Sequence, residues 1–147
     1  MTSFTLPHEL HGEGAHKVCA VHGWFADRSA YAGVLPDLDR TEFTYCLADL
    51  RCYGDAKSAV GAYTTAGAAL DLVELAGRLS ADLLPRTWMT WYPRAELHEL
   101  TAARLPHSRL RSTSGGTPIR MGEPPLELIR VAEDFLRADG PHEGEQA

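Results

Sequence analysis

Residues 17–24 read KVCAVHGW, and the unbroken run Val18, Cys19, Ala20, Val21 constrains the fold more than any other stretch of the chain. A strand with one wet face alternates apolar and polar residues. A run without alternation is apolar on both faces and needs cover on both, as strands have in parallel sheets flanked by helices. The run stops at His22 and Gly23, where a turn begins. With 147 residues, 44% of them hydrophobic, the chain supplies one core of this kind and not two.

Elements placed around this strand complete a βαβ unit. Thr5 to His11 is short and mixed, compatible with an edge strand, and GEGAH at 12–16 is turn-like. Asp27 or Ser29 can cap a short helix through Tyr31, Val34 and Leu35, closed by Pro36. TEFTYCLADL at 41–50, rich in Thr, Tyr and Phe, reads as a second strand ending near Asp49 and lying parallel to the first. Thr64 or Thr65 caps an amphipathic helix with Ala66, Ala69, Leu70, Val73 and Ala76 on its apolar face and Asp71, Glu74 and Arg78 opposite. Residues 95–100 read as a strand. A last helix starts at Pro124 and Pro125, presents Leu128, Ile129, Ala132, Phe135 and Leu136, and stops at Gly140, with Glu133 and Arg137 paired on its outside. The expected organisation is one partial domain over 1–138, an irregular loop over 101–122, and a disordered tail over 139–147.

Composition excludes several function classes. A formal charge of -6 with scattered arginines offers no basic stripe for phosphates, so no nucleic-acid partner is expected; Arg104, Arg109 and Arg111 read as a solvated loop. No apolar run approaches the ~20 residues that span a bilayer, so no membrane partner is expected either. The start, MTSFTLPHELHG, has neither a basic region followed by an apolar stretch nor a small-residue cleavage site, which makes a cytoplasmic location the expectation. Cys19, Cys46 and Cys52 lack paired metal or redox spacing and read as reduced thiols. The histidines at 8, 11, 16 and 22 lack the HExxH spacing of a zinc helix, and neither GEGAHK nor GDAKS fits a phosphate-binding loop. Neither a metal nor a cofactor is implied.

The order of elements, together with VHGW and ADLRCYG, resembles the α/β-hydrolase family, particularly its small esterase-like members. His22, Gly23 and Trp24 match the family's HGx loop, and Asp49, Arg51 and Gly54 match its DxRGxG stretch, with Cys52 where the family has glycine. A residue with a Cβ is strained at positive φ, so Cys52 bears on the tight turn expected there. YPRAELHEL at 92–100 is similar to the family's last strand, and EPPLELIRVAEDFL at 123–136 to its closing helix. The resemblance implies structural roles for His22, Asp49 and Arg51, and makes the Trp24 backbone N–H one donor of an oxyanion hole.

The same resemblance exposes what the chain lacks. No GxSxG nucleophile elbow occurs anywhere in it, and the family's lid and acid-bearing strand have no counterpart between Ser80 and the last strand. Each of Ser29, Ser58, Ser80, Ser108, Ser112 and Ser114 lies at a helix end or in a loop without an activating base. His107, the sole imidazole of the 101–122 loop, is the remaining candidate base. The expected molecule is therefore an incomplete α/β-hydrolase-like fold, a small and mostly parallel sheet of three or four strands with flanking helices. In that picture it is ancestrally a Ser-dependent hydrolase of esters or similar small acyl substrates, now without turnover. Where the VCAV strand has lost its neighbour, either the last strand moves in or the bare edge joins a second copy or a partner. A third possibility is a residual hydrolase in which a Ser or Cys lies within hydrogen-bond reach of His22 or His107.

Overall fold

In a computed structural model the protein is described over residues 4–23 and 26–82, and then at 99–100, 103–104, 130, 133–134 and 136–138. Trp24, His107, nearly all of the 101–122 loop and the 139–147 tail lie outside the described residues. β1 (His8–His11), β2 (His16–Val21) and β3 (Phe43–Ala48) form one three-stranded sheet in the order β1-β3-β2. β3 is central and buried along its whole length. It pairs in parallel with β2, Val18 opposite Tyr45 and Val21 opposite Ala48, and antiparallel with β1, so the sheet is mixed.

β1 is antiparallel because only residues 12–15 separate it from β2, too few for the crossover that parallel strands need. The link passes over the start of β3, where Glu13 N donates to Arg40 O (3.0 Å) and Gly14 N to Phe43 O (3.3 Å). Its glycines permit this passage. Gly12 has φ +97, and a Cβ at Gly12 or Gly14 would collide with the backbone of Glu42 or Phe43.

The unalternating run in β2 is covered on both faces. Cys19, Val21, Cys46 and Ala48 pack with Ala69, Leu72 and Leu75 of α1 (Thr65–Asp82) on one side. Val18, Ala20, Tyr45 and Leu47 pack with Tyr31, Val34 and Leu136 on the other. Tyr31 and Val34 belong to a 3₁₀ helix, Arg28–Asp37, whose N-cap is Asp27, accepting from Ser29 N. That helix runs one residue beyond Pro36 instead of closing there: near a helix end the missing proline N–H costs little, and Leu38 N still donates to Leu35 O (3.5 Å).

Three sequence expectations are corrected. Glu99 and Leu100 are helical, and Ala103 N donates to Glu99 O (3.0 Å), so the strand expected at 95–100 does not extend through its end. Ala, Glu and Leu are strong helix formers, and Leu97 to Leu100 is an i,i+3 spacing, which places both on one face only in a helix. On α1 the buried side holds Ala69, Leu72, Leu75 and Ala76 together with Asp71, while Ala66 and Leu70 are exposed. The helix is turned because Asp71 accepts two hydrogen bonds from Arg51, at 2.6 and 2.9 Å, which draw its carboxylate to the rim of the core. Glu133, expected outside, is buried and accepts from the Tyr45 hydroxyl. Its partner Arg137 does lie outside, 3.9 Å from Glu133 and 2.8 Å from Glu42, with its guanidinium 5.0 Å from the Phe43 ring. Burial, followed by that bond to Glu133, pushes the Tyr45 hydroxyl well above the usual phenol range.

Among the described residues β2 pairs with β3 alone, yet Lys17 to Val21 are buried. Lys17 is the unexpected member of that run. Its ammonium donates to Gly14 O (2.5 Å) and Thr44 Oγ1 (2.8 Å), and the described residues offer it no carboxylate. Burial lowers its pKa from the ordinary lysine value of 10.5. The unfolded chain therefore binds more protons than the folded one across the interval between the two values, and this group's contribution to stability rises with pH there. Thr44 Oγ1 also donates to Gly14 O (2.7 Å), so that carbonyl keeps a partner if the ammonium is removed. Lys17→Met should raise the unfolding free energy by ~1 kcal/mol at pH 7. In urea titrations from pH 7 to 10 the gap between the two proteins should narrow as pH rises; a gap that stays constant or widens would contradict this account.

Candidate functional site

β2 and β3 run in the same direction, so the segments that follow them, His22–Gly23 and Asp49–Gly54, emerge on one side of the sheet. The crevice beyond the carboxyl ends of parallel strands is where open α/β sheets place their ligands. The two motif segments singled out in the sequence thus meet at the expected end of the fold.

His22 is fully buried and both of its ring nitrogens are engaged. Leu50 N donates to Nε2 (3.1 Å), and Nδ1 lies 2.9 Å from Gly23 O. A carbonyl only accepts, so Nδ1 carries the proton and Nε2 is the bare nitrogen. The ring stacks edge-on against Tyr53, with centroids 5.0 Å apart. Neither nitrogen is left to take a proton from a Ser or Cys, the arrangement a residual hydrolase built on His22 requires. Among the described residues a Cβ at Gly23 would meet no atom within 4 Å.

Asp49 directly follows β3, its carboxylate 1% exposed. Such a charge is tolerable only with several donors, and it has Arg28 N (2.8 Å), Asp55 N (3.0 Å) and the Arg28 guanidinium. Arg28 also donates from Nε to Glu9 (3.0 Å) and from Nη2 to Asp55 (2.6 Å). These bonds, to Asp55 first and then Glu9, hold its guanidinium pKa above the usual range, while the bond to Arg28 holds the Glu9 carboxyl below its own. A cavity of about 400 Å³ opens here, lined among others by Glu9, Asp27, Arg28, Leu47, Asp49 and Asp55. With each terminal nitrogen of Arg28 already facing a carboxylate, the described residues of the cavity wall offer no spare cation to an anionic ligand. Ser29, one of the serines weighed as a nucleophile, donates its N–H to Asp27 (2.8 Å) and is the leading cause that holds that carboxyl below the usual range.

The remaining motif residues tie the loop to the helix that follows. Arg51 grips Asp71 with two nitrogens, donates to Val60 O (2.9 Å) and lies 4.0 Å over the Phe4 ring. That pair raises the Arg51 pKa, with Asp71 the leading cause. Cys52 has φ +73 and keeps its N–H bond to Ala56 O (3.1 Å). The glycine-like conformation expected at this position is present, occupied by a side chain it does not suit. Gly54, at φ +48, lies directly over Asp49, and a Cβ there would strike the carboxylate.

Arg28 and Asp71 were not legible as members of this site, because each is identified by a partner 20 or more residues away. Trp24 and His107 are outside the described residues, so neither the oxyanion donor nor the candidate base is located. Among the described residues no helix is long and apolar enough to cross a membrane.

No family model matches the sequence, and no curated protein matches it either. Solved structures do. A candidate epoxide hydrolase from Pseudomonas aeruginosa is 25% identical with a TM-score of 0.51, over 65% of this chain and 32% of its own. A candidate α/β-hydrolase from Nostoc sp PCC 7120 is 25% identical with a TM-score of 0.54, over 68% and 35%. A thermophilic esterase from Thermogutta terrifontis, solved with malate bound, is 21% identical with a TM-score of 0.51, over 93% and 50%. The chain spans about a third of the length of the first two and half of the third.

The geometry of the DLRCYG turn sets two substitutions apart in sign. Cys52→Gly should stabilise the protein by ~1 kcal/mol by removing the positive-φ penalty. Gly54→Ala should cost ~2 kcal/mol or more, since the buried carboxylate beneath it cannot retreat without losing donors. Urea midpoints of the two variants check both signs; a destabilised Cys52→Gly or a neutral Gly54→Ala would show the turn to be built differently.

Proposed function

Starting from a chain that is α/β-hydrolase-like and carries only part of that fold, we propose that it derives from a Ser-dependent hydrolase of esters or similar acyl compounds and performs no hydrolysis of its own. The observation that carries this reading is the pairing of a preserved scaffold with a missing nucleophile. His22, Asp49, Arg51 and Gly54 hold their turns together, while the sequence contains no GxSxG elbow to present a serine above them. The acyl substrate class is supported by likeness to an esterase, and the loss of turnover by chemistry. An oxyanion hole needs a donor from the residue after the nucleophile as well as one from the HGx loop, and removing a single donor costs ~10²- to 10³-fold in rate. Removing the nucleophile leaves no acyl-enzyme to form.

In this reading the HG turn is a structural joint. The imidazole of His22 caps the Leu50 amide, and Gly23 and Trp24 are the remnant of an oxyanion loop. His107 then has no serine to activate, wherever it lies.

The test uses the full chain, first checked by circular dichroism to be folded. Incubated with p-nitrophenyl acetate and butyrate it should release no p-nitrophenol above the buffer rate, and a fluorophosphonate probe should leave its mass unchanged. Stoichiometric labelling of any serine would overturn the proposal, because such a probe reacts only with an activated hydroxyl.

A further inference from the structure

Two of the chain's cysteines are brought together by strand register. Cys19 on β2 is the direct partner of Cys46 on β3 in the parallel ladder, and both side chains enter the same core beneath α1. Both are free thiols, exposed by 2% and 3%, whereas Cys52 is exposed on its turn. The neighbouring Cys46 thiol, together with burial, holds the Cys19 thiol well above the ordinary range.

Neighbouring strands lie ~4.8 Å apart, inside the ~4.4–6.8 Å between Cα atoms that a disulfide accepts. The Cβ atoms of a disulfide are closer, ~3.8 Å, so the bond must draw these two positions together by ~1 Å. A bridge made against that resistance is strained, and strained bridges are the readily reduced ones. From this register we propose that Cys19 and Cys46 form a reversible cross-strand disulfide, a redox-sensitive staple across the two parallel strands that carry the motif turns.

With a peroxide as oxidant the step balances. The sulfur of one cysteine attacks a peroxide oxygen, the O–O bond breaks, and a sulfenic acid and one water result. The sulfur of the second cysteine then displaces the sulfenic hydroxyl as a second water, and the S–S bond forms. Two thiols lose two electrons and two protons, and one hydrogen peroxide becomes two waters. Because both sulfurs are buried, the oxidant meets them when β2 and β3 part, so oxidation during folding is fast and oxidation of the folded chain is slow.

Trypsin reads the outcome directly. Cleavage after Lys17, Arg28, Arg40, Arg51 and Lys57 places Cys19, Cys46 and Cys52 on three separate peptides, 18–28, 41–51 and 52–57. The full chain is refolded by dilution from urea into hydrogen peroxide, quenched with catalase, denatured again, alkylated with iodoacetamide and digested without reductant. Peptides 18–28 and 41–51 should appear joined, at a mass two hydrogens below their sum, and dithiothreitol before alkylation should restore both as separate alkylated peptides. Recovery of Cys19 and Cys46 as alkylated thiols would overturn the proposal. So would their recovery as sulfinic or sulfonic acids, or a link from either to Cys52.

Discussion

One hydrogen bond holds together the end of the molecule where its motifs meet: the Leu50 amide donates to Nε2 of the buried His22 ring. β2 and β3 both end within a residue or two of it, and a backbone amide just beyond a central strand has no ladder partner. Filling that vacancy with an imidazole commits the imidazole, since its other nitrogen must then carry a proton and give it to Gly23 O. The same economy governs Asp49 one residue earlier, whose carboxylate gathers the amides of Arg28 and Asp55 and the guanidinium of Arg28. The HG and DxR motifs are thus each other's support, and the side chains of His22, Asp49 and Arg51 are all committed to hydrogen bonds within the fold.

In the reading proposed above, this interdependence is how the chain keeps the signature of a hydrolase without its reaction. The residues that shape the crevice also satisfy buried backbone and buried charge, so losing them costs stability whether or not a substrate is ever turned over. A nucleophile elbow is different in kind, being a strained turn retained for its chemistry. A chain that has lost its elbow has lost a cost, while a chain that loses His22 or Asp49 leaves orphaned polar groups in its core. The likeness to solved hydrolases over part of their length fits a scaffold retained on those terms.

How far the fold could be read from sequence depended on how local its determinants are. The unalternating VCAV run correctly demanded cover on both faces, and TEFTYCLADL its parallel partner, because period and β-branched content are properties of a few adjacent residues. The cap of α1 was legible as Thr64 or Thr65 for the same reason, and it is the Thr64 hydroxyl that accepts from Gly67 N three residues on. What could not be read were residues placed by distant partners. Asp71 looks like an outward charge until Arg51 claims it, and Glu133 until the Tyr45 hydroxyl, 88 residues away, points at it. Lys17 is harder still, since nothing in a strand-like string announces that an ammonium will be buried against a carbonyl and a threonine. At the candidate site the motif residues were legible, but Arg28, which ties three carboxylates together, carries no spacing signal at all.

The imidazole of the HG turn serves the backbone. Long-range ¹H–¹⁵N correlation spectra of the ring nitrogens in the folded protein at neutral pH report which nitrogen of His22 is protonated. The expected tautomer has the proton on Nδ1 and a bare Nε2 facing the Leu50 amide. A ring protonated at Nε2, or exchanging freely between tautomers, would contradict it and would leave this histidine available as a base.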